Sequence, residues 1–199
     1  MQIVQIDAQT RATTGKREAK KLRAEGSVPA IIYGGDENTS IIVNAKEVKP
    51  LVYTPDFKLA EISVDGGTHK CILKDIDFHP LTDEIVHIDF LRVIENTPIK
   101  VELPLGFKGK SPGVKAGGKL IQQVRKIKVK TVPEKMVDKL FVDISKLELG
   151  ASVRVKDVIT PEGMDIMMPE ATPVAIVEVP RALKSAAAAE AKAAAGAPK

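Results

Sequence analysis

Valine and isoleucine recur along this chain in short runs, and nearly every run is closed by Gly, Pro, Asn or Asp. Side chains branched at Cβ are stiff and pack well on a pleated surface, while those four residue types break or turn the backbone. A chain so punctuated folds mainly into short strands joined by tight turns. With 199 residues, 44% hydrophobic and 28% charged, it has enough apolar material for one generous domain or two modest ones. The fold class expected is mainly β. Met1-Gln2-Ile3-Val4-Gln5 lacks a basic segment followed by an apolar core, and no apolar run reaches membrane-spanning length. A cytoplasmic protein with no membrane association is therefore expected. The lone cysteine, Cys71, cannot form an internal disulfide and reads as a buried strand residue.

Residues 2–9 alternate loosely between polar and apolar and give a first strand. Thr13-Thr14-Gly15 offers capping hydroxyls before a helix over residues 16–25, with Gly26 as its stop. Strands follow over 28–33 and 40–44, separated by the turn Gly34-Gly35-Asp36-Glu37-Asn38. A short helix over 45–53 should be interrupted by Pro50. Strands are expected over 58–64, 68–78 and 85–94, with Asp65-Gly66 turning the first hairpin. Asn96-Thr97-Pro98 marks the boundary between a domain of residues 1–95 and a second β-rich domain of 96–181. In the latter, 99–105 is a strand and 106–118 a flexible glycine-rich loop. Lys126, Lys128 and Lys130 then alternate with Ile127, Val129 and Thr131, which places three ammonium groups on one face of a strand. Further strands are read over 140–144, 152–155 and 174–179. Residues 182–199 collapse to Ala, Lys and Glu with no apolar stripe, and a disordered tail is expected there.

Charge is distributed unevenly. Residues 1–95 hold 12 basic and 15 acidic side chains, yet Arg11, Lys16, Arg17, Lys20, Lys21 and Arg23 fall together with only Glu18 among them. Lys16, Lys20 and Arg23 follow at spacings of four and three and share a helix face, while Ala19 and Leu22 give a narrow apolar stripe for docking. Residues 100–130 carry nine basic groups and one acid, Glu102. Two local basic patches on a nearly balanced chain, net +4, suit a polyanion with a defined footprint. A cationic helix one strand away from Tyr33 suits RNA in particular. Arg forks onto phosphate, Lys acts as a point charge, and Tyr stacks or hydrogen-bonds on ribose or base.

Enzyme motifs fail on context. Gly113 through Lys119 spells a phosphate-binding loop up to its lysine, but Leu120 stands where Ser or Thr must hold Mg²⁺. Gly109-Lys110-Ser111-Pro112-Gly113 matches a nucleophile elbow, yet Pro112 removes a donor where an oxyanion hole needs one, and no strand-turn-helix is expected around it. His69, His79 and His87 show no zinc spacing with Cys71, so neither a catalytic nor a metal site is assigned. His87 and Asp89, two apart on a strand, share a face and could address sugar or base edges, or form an ordinary surface pair. Asp75 and Asp77 share a face too and read as solvated acids.

Arg11, Gly15-Lys16, Leu22-Arg23, the run from Val28 through Gly35, His79-Pro80 and His87-Ile88-Asp89-Phe90 occur in an order that resembles the family of large-subunit ribosomal protein twenty-five. The loop from Gly113 to Gly118 resembles the second domain of that family's long form, the general stress protein CTC type. The resemblance covers residues 1 to about 180. It implies an N-terminal small β-barrel with short helices that binds 5S ribosomal RNA in the central protuberance, at the widened minor groove of an internal-loop helix. Carried over by position, it makes Arg11, Lys16, Lys20, Lys21, Arg23, Tyr33, Lys74, His87 and Asp89 the RNA-binding set. Lysines at 20 and 21 stand where relatives commonly have arginines, exchanging bidentate forks for point charges. Lys74 stands where some relatives have an amide. The expected protein is thus a non-enzymatic, cofactor-free component of the large ribosomal subunit, with Lys126, Lys128 and Lys130 turned to other rRNA or a neighbouring protein. Two competitors are an adaptor whose basic helix holds an acidic protein and a nucleotide-handling enzyme built on the glycine-rich loop.

Overall fold

A computed structural model describes residues 2–35 and 38–181. The expected tail over 182–199, and Asp36 and Glu37 of the expected turn, lie outside the described residues. The elements run β1 (Ile3–Thr10), α1 (Lys16–Ala24), β2 (Ser27–Tyr33), β3 (Thr39–Asn44), α2 (Ala45–Val52), β4 (Leu59–Val64), β5 (Gly67–Phe78) and β6 (Ile85–Arg92). After them come β7 (Ile99–Lys108), α3 (Pro112–Lys115), β8 (Lys119–Gln122), β9 (Lys126–Thr131), β10 (Leu140–Asp143), β11 (Ser152–Arg154), β12 (Val158–Ile159), β13 (Met164–Ile166) and β14 (Pro173–Glu178). The protein is mainly β, as its punctuation by turn residues requires.

The first six strands close into a barrel in the order β1-β3-β2-β6-β5-β4. Closure leaves no unpaired edge for another chain to extend. The inward set, including Ile6, Val28, Ala30, Ile32, Ile41, Val43, Ala60, Ile62, Cys71, Ile88 and Phe90, fills the interior, and Val48 and Leu51 of α2 pack against it. Asp65 and Gly66 both take positive φ, 46° and 86°, in the turn that joins β4 to β5. The remaining strands form a five-stranded sheet, β12-β10-β7-β9-β13, and a three-stranded sheet, β11-β14-β8, around a second core. That core also takes in barrel residues: Ile72 is buried in it, and Phe57, Leu59, Leu91 and Val93 pack against it. Cys71 and Ile72 are neighbours on β5, so the alternation of one strand supplies both cores.

Four local expectations are corrected. Pro50 does not interrupt α2, which runs on to Val52. The Asn44 side chain caps its start by accepting from the Lys46 N–H at 3.0 Å, Val48 and Leu51 anchor it, and it ends two residues past the proline. No threonine hydroxyl caps α1; Gly15 is its N-cap, and Arg11 braces the approach by donating from Nε to the Thr13 carbonyl at 2.9 Å and from Nη2 to the Gly15 carbonyl at 3.4 Å. The glycine-rich segment is not a flexible loop. β7 continues through Gly106 to Lys108, and the Phe141 ring packs over the glycine, its nearest carbon 3.1 Å from where a Cβ would stand. Ser111, 2% exposed, then caps α3 and donates to the Leu147 carbonyl at 2.5 Å. A strand, a turn and a helix thus do surround the elbow-like motif, contrary to expectation. Its serine hydroxyl is nonetheless buried and engaged in a structural bond.

Two measurements test this packing. A Cβ at Gly113 would stand 2.6 Å from the Glu148 carbonyl carbon and 2.7 Å from the Leu149 nitrogen, backbone that cannot swing away. Gly113→Ala should therefore cost roughly 3 kcal/mol in urea unfolding. Burial, outweighing the attraction of Arg92, pushes the Cys71 thiol up to about 12. The unfolded thiol ionises first, so stability should hold to about pH 8.5 and fall as pH climbs towards the folded value. Cys71→Ala should remove that share of the alkaline decline.

Candidate RNA interface

Helix α1 carries its cations because almost nothing on it is needed for the core. Only Ala19 and Leu22 are half-buried; Lys16, Arg17, Lys20, Lys21 and Arg23 are exposed. None of these cations pairs with a carboxylate among the described residues. Lys21 and Arg23 occupy the last turn, where the helix dipole favours positive charge, and Gly26 at φ 80° releases the chain into β2. Arg23 donates from Nε to the Val86 carbonyl at 3.0 Å and so ties the helix to β6. That bond leaves most of its guanidinium donors for another partner, as do the two intramolecular bonds of Arg11.

The Val86 carbonyl is one residue from His87, so the helix terminus adjoins the polar face of β6. Strands β2 and β6 run parallel, with Ile31 opposite Asp89 and Tyr33 opposite Leu91. On the other side β5 is antiparallel, with Asp75 opposite Asp89 and Asp77 opposite His87. Tyr33, His87, Asp89, Asp75 and Asp77 therefore share one outer face of the barrel. His87 Nδ1 lies 2.8 Å from Asp89 Oδ1. A proton on Nδ1, donated to that carboxylate, leaves Nε2 and the second carboxylate oxygen as the pair's remaining polar atoms. The Tyr33 phenol is held above the usual tyrosine value by burial first, then by the charges of Asp89 and Asp75. At neutral pH it remains a hydroxyl that can both donate and accept. The patch thus presents one donor-acceptor and several acceptors, beside a helix of exposed cations.

Of the nine residues singled out in the sequence, Lys16, Lys20, Lys21 and Arg23 stand on α1, Arg11 braces its approach, and Tyr33, His87 and Asp89 form the adjoining patch. Lys74 is placed differently. It sits at a register shift between Leu73 and Asp75, and its ammonium donates to the Lys100 carbonyl on β7 at 3.1 Å. There it lines a cleft of about 680 Å³ between the barrel and the second sheet, together with Lys58, Lys100, Lys126 and Lys128. Lys126, Lys128 and Lys130 alternate with buried Ile127, Val129 and Thr131 as expected, and Lys128 lies 3.5 Å from Glu102. Asp75 was legible only as a solvated acid. Its place beside Asp89 depends on the same register shift, which no local pattern announces. Arg92 was also missed: its side chain lies along Gly35, where a Cβ would come 3.3 Å from Nη1, while a Cβ at Gly34 would strike Leu91 Cδ1 at 2.8 Å. Those side-chain ends can move; the two glycines after Tyr33 are required by their left-handed backbone, with φ of 88° and 128°.

A closed barrel with a cationic helix, unpaired among the described residues, against a patch of hydrogen-bonding side chains offers a surface suited to a polyanion. Comparison with known proteins gives that class its family. Residues 6–90 match the ribosomal L25p family, and residues 98–181 match the C-terminal domain of ribosomal protein TL5. Large ribosomal subunit protein bL25 of Porphyromonas gingivalis is 41% identical over 189 residues, covering 94% of this chain and 98% of its own. The proteins of the same name from Amoebophilus asiaticus and Cytophaga hutchinsonii are 39% and 36% identical, over 94% and 96% of this chain and 95% and 100% of theirs. The chain belongs to the ribosomal L25p family, in its long form. It is a structural ribosomal protein and not an enzyme.

The electrostatic account of Tyr33 can be checked by titrating its phenol in a Tyr53→Phe background. Asp89→Asn should lower the Tyr33 pKa part of the way to the free value, because one nearby charge is lost. The share due to burial should persist.

Proposed function

We propose that the protein binds 5S rRNA through α1 and the β2–β6 face, as a component of the central protuberance of the large ribosomal subunit in the bacterial cytoplasm. The observation that carries this reading is the juxtaposition of five exposed basic side chains on α1 with Tyr33 and the His87–Asp89 pair. A-form RNA hides its major groove, so a protein must read phosphates, 2′-hydroxyls and places where the helix is distorted. Lys16, Lys20, Lys21, Arg23 and the free donors of Arg11 contact phosphates and set the orientation. Tyr33, His87 and Asp89 address ribose hydroxyls and base amino groups across a widened minor groove, which supplies the specificity. Lys74 contributes charge from the side of the cleft. The functional division falls at Asn96: residues 1–95 bind the 5S rRNA, 96–181 form a second unit, and 182–199 are a tail. Separate cores and separate family matches support that division. Lys126, Lys128 and Lys130 meet other rRNA or a neighbouring protein.

Filter binding of a 5S rRNA transcript over a range of salt concentrations tests the reading. Lys20→Ala with Lys21→Ala should weaken binding and flatten the log–log salt slope by roughly one to two units. Tyr33→Phe, His87→Ala and Asp89→Asn should instead reduce discrimination between 5S rRNA and an unrelated duplex. Equal losses on both RNAs would leave those three side chains without a specifying role.

A further inference from the structure

Between Lys74 and Arg92 the chain contains Asp75, Asp77, Asp83, Glu84 and Asp89 and no lysine or arginine, in a protein whose net charge is +4. The apex of this β5–β6 hairpin is both acidic and apolar. Leu81 is 88% exposed there; nearer the barrel, Phe78 is 44% and Tyr53 59% exposed, with ring centroids 6.4 Å apart. The apex is also braced. The His79 N–H donates to the Glu84 carbonyl at 2.8 Å, and the Asp83 N–H donates to the His79 carbonyl at 3.0 Å. His79 Nδ1 accepts from the N–H groups of Leu81 and Thr82 at 3.4 and 3.3 Å, and the Thr82 hydroxyl donates to Glu84 at 3.3 Å. Asp83 holds a left-handed conformation at φ 54°. A braced turn that exposes a leucine leaves solvation energy unrecovered in the free protein and has little ordering entropy to lose on binding.

We infer that the β5–β6 apex is a docking knob for a basic protein: Leu81 enters an apolar pocket whose rim carries lysine or arginine opposite Asp83 and Glu84. Charge decides the class of partner. The two carboxylates of the turn, Asp83 and Glu84, repel a phosphate backbone, and they complement the cationic surface of a protein that itself sits on RNA. The protein thus addresses RNA with α1 and the outer face of β2 and β6, and a protein neighbour with the turn that joins β5 to β6.

The test uses large ribosomal subunits washed free of this protein, to which the full chain is returned, alongside a free 5S rRNA transcript. Leu81→Ser should lower apparent affinity for the subunits roughly tenfold, the scale of losing one buried anchor, and leave affinity for the transcript unchanged. Asp83→Asn with Glu84→Gln keeps the turn-forming side chains and removes two charges; it should also weaken rejoining of the subunits. Tighter rejoining by that double variant would mean that RNA faces the apex, and unchanged rejoining by both variants would mean that nothing docks there; either result overturns the inference. A benzophenone side chain at position 81 should crosslink to protein on the subunit, and crosslinking to rRNA alone would overturn it. If the wild-type chain ignores the free transcript while its return to subunits depends on Leu81, the 5S rRNA reading fails and the knob stands.

Discussion

The parallel pairing of β2 with β6 is the constraint on which the functional surface rests. Parallel neighbours need a long crossover, and here that crossover is β3, α2, β4 and β5, which together complete the barrel. Only this register sets Ile31 across from Asp89 and so brings Tyr33 to the His87–Asp89 pair. The same pairing places the carbonyl of Val86 within reach of Arg23, which fixes the cationic helix beside the patch. A slip by one residue would turn His87 and Asp89 into the barrel and Ile88 and Phe90 out of it. The apolar cost of that exchange protects the geometry of the polar face.

Much of this was legible in the sequence because strand periodicity is local. Lys126 to Thr131 alternates as its letters require, and Ala19 with Leu22 alone identify the docked side of α1. His87 and Asp89 could be placed on a common face from their spacing. Which strands meet was not legible, since pairing depends on contacts distant in sequence; the nearness of Tyr33 to His87 came through family resemblance. Register shifts escaped for a related reason. The irregularity around Lys74 turns its ammonium towards Lys100 and aligns Asp75 with Asp89, and nothing in the letters Leu-Lys-Asp-Ile marks it. Pro50 and Gly106 misled in the other direction. Each is a breaker by propensity, and each is overruled by packing: Val48 and Leu51 hold α2, and the Phe141 ring packs over the bare face of Gly106.

Positive and negative charge are segregated by element. The cations on α1 have no carboxylate partner among the described residues, the β5–β6 hairpin carries acids and no lysine or arginine between Lys74 and Arg92, and a lysine-lined cleft separates the barrel from the second sheet. Such an arrangement costs little in the folded chain because the groups are solvated. It also gives a modest net charge a strongly directional field.

The double service of β5, with Cys71 inside the barrel and Ile72 in the other core, has an evolutionary corollary. A shorter descendant of this gene that ended after β6 would bare Ile72, Leu91 and Val93 to solvent. Such a truncation is viable only when those sites turn polar in step, so the loss or gain of the second half leaves its mark on the wall of the first.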